Sequence, residues 1–251
     1  MDVNTIDRRE MDLNRIVDRR ESERRFFLSV AVLFPLVILA GFARTYYLKG
    51  FFASPPVPSM LVHLHGLLMT TWIGLFMTQV WLISSRRVKT HRQLGIFGAV
   101  LGAVIIPVGF FTAVAAAKYG SASFPPNIPP LVFLVVPFFD LLMFTILFGG
   151  AIYYRKQAAN HKRLILLTIL NFLPPAIGRL PFAFLATAGP LVFFGVPALL
   201  AIIFVVVDTR KNRKLNKVFL TGAILLIASF PLRLMLGFSP LWLRFATWLT
   251  T

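Results

Sequence analysis

The sequence predicts an all-α, polytopic membrane protein of seven transmembrane helices, with a cytoplasmic N-terminus and an outside C-terminus. Three observations carry this. First, 57% of the 251 residues are hydrophobic and the mean hydropathy is +0.78, whereas soluble domains run at roughly 45–50% apolar. Second, apolar runs of about 18 or more residues recur, long enough to cross a hydrocarbon core as helices. Third, Lys and Arg alternate between rich and poor along the connections between those runs.

The runs fall at 26–43, 60–83, 94–117, 131–154, 164–187, 189–208 and 218–236. The tail, the six loops and the C-terminal segment carry in turn 7, 2, 4, 1, 4, 0, 5 and 1 Lys or Arg. Basic loops stay on the cytoplasmic side, so the alternation sets the orientation and requires an odd number of crossings. The domain reading is a charged cytoplasmic tail (1–25), a seven-helix membrane domain (26–236) and an interfacial C-terminal segment (237–251). In SPLWLRFATWLTT (239–251), Leu241, Phe245 and Trp248 share one helical face, the pattern of a short interfacial helix. The Pro-rich stretches at 54–59 and 124–130 read as rigid outer connections.

The net charge of +17 does not point to nucleic acid. Residues 1–25 hold seven basic and seven acidic side chains and are neutral; beyond them stand 19 Lys or Arg and only two acids, Asp140 and Asp208. That excess lies mostly between apolar runs, where it fixes topology and meets lipid headgroups. The expected partners are therefore membrane lipids and other membrane subunits. With no cysteine, disulfides, iron–sulfur clusters and thiolate catalysis are excluded. The tail of mixed charge does not read as a cleaved signal.

Three segments resemble one another: RRVKTHRQLG (86–95), RKQAANHKRL (155–164) and RKNRKLNKVF (210–219). Each opens with a basic pair and reaches His or Asn at the start of a span, with a proline downstream at Pro107, Pro174 or Pro231. The expected arrangement is three repeated helical hairpins plus one added helix.

Ionisable groups at membrane depth cost about 2.5–3.5 kcal/mol each on insertion scales, so they need a reason. Asp140, Arg179 and Arg233 are the three candidates. Counting helical rise places Asp140 and Arg179 about 12–14 Å below the outer boundary, which predicts an Asp140–Arg179 ion pair. HLHG (63–66) enters at a similar level. On a regular helix His63 and His65 point about 200° apart. His65 shares a stripe with Trp72 and Gln79; His63 shares one with Gly66, Thr70 and Gly74. His65, Trp72, Gln79, Asp140, Arg179 and Arg233 are thus expected to line a polar pocket in the outer half of the bilayer.

His91 and His161 stand at the cytoplasmic ends of their spans. They read either as axial ligands of a haem, lying against the smooth face of Gly95, Gly98, Gly102 and Gly109, or as polar residues at helix starts. Asn216 at the matching position favours the second reading, since Asn caps helices. No metal motif, phosphate-binding Gly-rich loop, nucleophile–His–acid set or Schiff-base lysine is present.

The string HxHGLLMTTWIGLFMTQVWLI, followed by HRQLG and HKRLILLTIL, resembles a family of uncharacterised bacterial multi-pass membrane proteins over roughly residues 60–185. The motif positions are His63, His65, Gly66, Trp72, Gln79, His91, Arg92, Gly95, His161, Lys162, Arg163 and Arg179. The resemblance implies a bacterial plasma membrane and brings no established activity. The functional expectation is a redox membrane protein binding haem b or a quinone, through His63, His65, His91, His161, Arg179 and Arg233. The alternatives are a cofactor-free accessory or assembly subunit of a membrane complex, and a small-anion transporter.

Overall fold

The computed structural model describes residues 3–52, 59–121, 127–182, 185 and 189–251. The elements are α1 (Val3–Phe42), which widens into a π-helical turn at Ala43–Tyr47, then α2 (Met60–Ser84), α3 (Val88–Tyr119), α4 (Pro130–Phe133), α5 (Val135–Tyr153), α6 (Ala158–Asn171), α7 (Leu173–Ile177), α8 (Pro190–Asn212), α9 (Lys217–Gly237) and α10 (Pro240–Thr250). Among the described residues there is no strand. The Pro-rich stretches fall largely outside the described residues.

Six segments are long and apolar enough to cross a membrane: Arg20–Tyr47, Met60–Ser84, Val88–Tyr119, Pro130–Tyr153, Pro190–Asn212 and Lys217–Gly237. Only 22–44% of each apolar window is buried. Side chains such as Leu33, Ile96, Val100 and Phe111 are more than half exposed. A belt of this kind is stable only where lipid covers it.

The predicted fifth span, 164–187, is not one continuous helix, and its reason is chemical. Pro174 and Pro175 lack the N–H groups that would bond to Leu170 and Asn171, one turn back. The helix therefore ends at Asn171, turns at Phe172 and restarts as the five-residue α7 with the prolines in its first turn. Elsewhere the boundaries follow ordinary caps. Ser59 accepts from the Val62 N–H at 3.4 Å, Asn216 from Phe219 at 2.8 Å and Ser239 from Trp242 at 3.2 Å.

Helices on either side of each basic loop pack together: α2 on α3, α5 on α6, α8 on α9. The basic loops share one end of the bundle. There Arg163 forms a two-pronged pair with Asp208 (3.0 and 2.6 Å), Lys162 pairs with Glu23, Lys211 donates to Ser22 at 2.8 Å, and Asn216 donates to Asn160 at 2.7 Å. So the stretch before the first apolar run is bound to the bundle rather than solvated throughout. α1 is continuous from Val3, so the tail and the first span form one helix.

At the opposite end α7 packs on α1 so closely that a Cβ on Gly41 would overlap the Ala176 backbone. Small residues let membrane helices approach in this way. α6 and α7 together therefore run from the Lys162–Glu23 level to the Gly41 level. α10 docks by burying Ala246 beside Ala113, Ala117 and Leu134, and the Trp242 indole donates to the Leu131 carbonyl at 2.8 Å. Its Leu241 and Trp248 remain 77% and 71% exposed, the apolar face foreseen for an interfacial helix.

Candidate functional site

The polar side chains do not gather into one outer pocket; they divide among three places. The first is a sealed ion pair. Asp140 on α5 accepts from Arg233 on α9 at 2.6 Å, and Arg233 is fully buried. This corrects the expected Asp140–Arg179 pair. Arg233 also donates to the Ser229 hydroxyl (3.1 Å) and carbonyl (3.3 Å), one turn back on its own helix. The rings of Phe139, Phe194 and Phe230 stand 5.2–5.7 Å from its guanidinium carbon. Asn171, at the end of α6, donates to the Asp140 carbonyl at 2.9 Å. The interrupted helix thus ends on the backbone of the acid. Every charge here is matched, and the cluster locks α5, α6 and α9 together.

The second place lies where α1 meets α2. The hydroxyl end of the Tyr46 ring sits against Gly66, where any Cβ would overlap it. Its hydroxyl donates to the His63 carbonyl at 3.3 Å. Thr70 donates to the Gly66 carbonyl at 2.7 Å and accepts from Tyr47 at 2.9 Å. This accounts for the glycine of HLHG: it is the seat of a tyrosine, and the His63 side chain beside it is exposed. His65, two residues on and so on another face of α2, is half-buried. Arg179 follows α7. It donates to the Pro175 carbonyl at 2.6 Å and stacks over the Phe42 ring at 4.7 Å. This sets it beside the end of α1, at the opposite end of the bundle from the basic loops.

The third place is at the basic end. His91, in the first turn of α3, and His161, in the first turn of α6, have ring centroids 6.4 Å apart with planes at 80°. His161 bonds through Nδ1 to the Ala151 carbonyl at 2.8 Å. A carbonyl only accepts, so Nδ1 carries a proton. The His91 Nδ1 is buried without a partner. The Gln79 side-chain amide crosses Gly95, one turn along α3 from His91, and its Oε1 is likewise buried and unpartnered. Three such atoms occur among the described residues, and two of them stand on the α2–α3 hairpin near this end.

Trp72 belongs to none of these places. It is buried edge-on against Phe144 and Phe148 at 5.3 and 5.0 Å. The glycine face of α3 is filled by neighbouring helices. Leu75 lies at Gly98, Phe148 at Gly102 and Leu141 at Gly109. A flat macrocycle has no room on that face. Among the described residues no three or more His, Asp or Glu side chains converge as metal ligands.

Sequence reasoning did not find the Arg163–Asp208 pair. The signal was available: beyond the tail there are 19 cations for two acids, so each acid has a cation to meet. No protein-family model, curated protein or solved structure matches the chain.

Proposed function

We propose that this chain is a metal-binding integral membrane protein whose single centre is held between His91 and His161, with Gln79 as a third donor, at its cytoplasmic end. The observation that carries the reading is the pair of buried, unpartnered acceptors, His91 Nδ1 and Gln79 Oε1, beside a second imidazole 6.4 Å away. Burying an acceptor unpaired costs about 1–3 kcal/mol, so two on one helical hairpin call for a species that takes lone pairs. The His161 ring is held through Nδ1 by the Ala151 carbonyl, the arrangement that orients metal-bound histidines.

The donor set selects among ligands. Imidazole nitrogens suit zinc, copper, iron and nickel. An oxidised quinone offers acceptors to acceptors at the imidazoles and fits poorly. Haem b is disfavoured by the side chains that fill the α3 glycine face. The proposal thus takes up the His91–His161 pair at the inner end and replaces the expected haem or quinone by a metal ion.

The topology in this reading is seven crossings, the fifth made of α6 and α7 with a break at the double proline. It is supported by the alternation of basic loops and by the way α6 and α7 reach from one end of the bundle to the other. The N-terminus is then cytoplasmic and the C-terminal α10 lies on the outer interface of a bacterial plasma membrane. A visible spectrum and elemental analysis of the detergent-purified protein test the function. Bound metal without a Soret band is expected; a Soret band would identify haem, and a protein that takes up no metal when supplied with it would overturn the proposal.

A further inference from the structure

We propose that a cavity at the basic end of the bundle, between α1, α6 and α8, binds an anionic phospholipid, with its phosphate at Lys211 and the first methylenes of its chains against Phe26, Phe204 and Val207. The cavity measures about 50 Å³, several times the roughly 10–15 Å³ that one water needs. Half of its lining residues are apolar: Phe26 and Phe27 on α1, Leu166 on α6, Phe204 and Val207 on α8, and Phe219 on α9. The Phe26 and Phe204 rings meet edge to face at 5.1 Å, which props α1 against α8.

The charged lining residues divide into two matched pairs and one remainder. Arg163 and Asp208 pair at 2.6 Å, with side chains only 7% and 17% exposed. Lys162 pairs with Glu23, and its ammonium stands 5.9 Å from the Phe27 ring. Lys211 is the third cation. It is exposed and donates at 2.8 Å to the Ser22 hydroxyl, which is neutral. The lining therefore carries three cations for two acids, a surplus that matches the single charge of a phosphodiester. Arg210, Arg213 and Lys214 flank Lys211 in the sequence and add to the positive potential.

Position selects a lipid over a soluble anion. Phe26 opens the first apolar run and Asp208 closes the run of α8. The apolar walls thus lie where hydrocarbon begins, and the cations where headgroups lie. Val206 and Val207 are 40% and 37% exposed, so this side of α8 faces the lipid belt and admits a chain laterally. Apolar walls hold water poorly, whereas methylenes fill them. A free phosphate would meet Lys211 and leave those walls empty. Basic pockets between membrane helices take up lipid headgroups on the same physical grounds.

The test follows the thermal unfolding of the full chain in a neutral detergent, titrated separately with short-chain phosphatidylglycerol, short-chain phosphatidylcholine and inorganic phosphate. Phosphatidylglycerol is expected to raise Tm saturably, at a lower concentration than phosphatidylcholine, and inorganic phosphate to leave it unchanged. Lys211→Gln is expected to weaken the phosphatidylglycerol response about fivefold, the loss of one lysine at a headgroup. Its Tm without lipid stays close to wild type, because the bond lost is an exposed one. Lys156→Gln removes an exposed cation at the same end but outside the cavity, and should respond as wild type does. Val207→Phe adds apolar bulk to the cavity wall from an exposed position, and is expected to reduce the lipid response without lowering Tm. Equal responses to the two lipids, an equal response to inorganic phosphate, or a Lys211→Gln response no weaker than that of Lys156→Gln would overturn the site. The result is independent of the metal centre, since neither Lys211 nor Val207 belongs to it.

Discussion

Replacing Asp140 by Asn leaves the Arg233 guanidinium fully buried with no counter-charge. Its remaining partners are the Ser229 hydroxyl at 3.1 Å, the Ser229 carbonyl at 3.3 Å and three phenylalanine rings. None of these carries a negative charge. Removing one member of a buried pair costs about 3–5 kcal/mol, or about two to four powers of ten in the folding equilibrium. For a chain of this size each kcal/mol moves Tm by about 2–4 °C, so Asp140→Asn should lower it by about 6–20 °C. Unfolding of the detergent-solubilised protein by heat or by a denaturing detergent reads this directly. The double variant Asp140→Leu with Arg233→Met removes both charges and should recover at least half of the loss, since replacing a buried pair by apolar groups is often near neutral. Arg179→Ala should cost far less than either single variant, because no carboxylate among the described residues pairs with Arg179. A drop of under about 0.5 kcal/mol in Asp140→Asn, or an equal drop in Arg179→Ala, would refute the assignment of the acid to Arg233.

Three further outcomes follow from the packing. Gly66→Val drives a side chain into the Tyr46 ring and should destabilise by about 1–3 kcal/mol; pairing it with Tyr46→Ala should restore part of the loss, read by the same unfolding assay. Gly41→Ala meets the Ala176 backbone, which cannot rotate away, so it should cost at least as much and resist rescue by any side-chain truncation on α7. Replacing Pro174 and Pro175 together by Ala restores two backbone donors and should fuse α6 with α7, raising helical circular dichroism by a few residues; unchanged helix content would show that something other than the prolines causes the break.

Much of this was legible in the sequence, for identifiable reasons. The long apolar helices followed from run length, and the grouping of basic loops at one end followed from the Lys and Arg count. The amphipathic α10 followed from the spacing of Leu241, Phe245 and Trp248, which the structure leaves on an exposed face. The interruption of the fifth run was also written there, as PP at 174–175, but hydropathy sums over a window and does not register two missing N–H groups. The Asp140 partner was misassigned because sequence adjacency favoured α5 against the segment next to it. Which arginine reaches Asp140 depends on how helices cross in three dimensions: α9 lies against α5, whereas the break after Asn171 carries Arg179 toward α1. His91 and His161 were noted as a pair, whereas Gln79 was assigned from its helical stripe to the outer pocket. Its place beside His91 comes from the tight α2–α3 hairpin, where Ser85–Arg87 turn the chain so that Gln79 and Gly95 meet.

The most direct measurement is the metal content per chain of the purified protein, set beside that of His91→Ala, His161→Ala and Gln79→Ala, after growth with zinc, copper and iron supplied. About one equivalent of one metal is expected in wild type, nearly none in either histidine variant and a partial loss in Gln79→Ala. A metal-free wild type, or variants that retain the wild-type equivalent, would contradict the assignment of His91 and His161 as ligands.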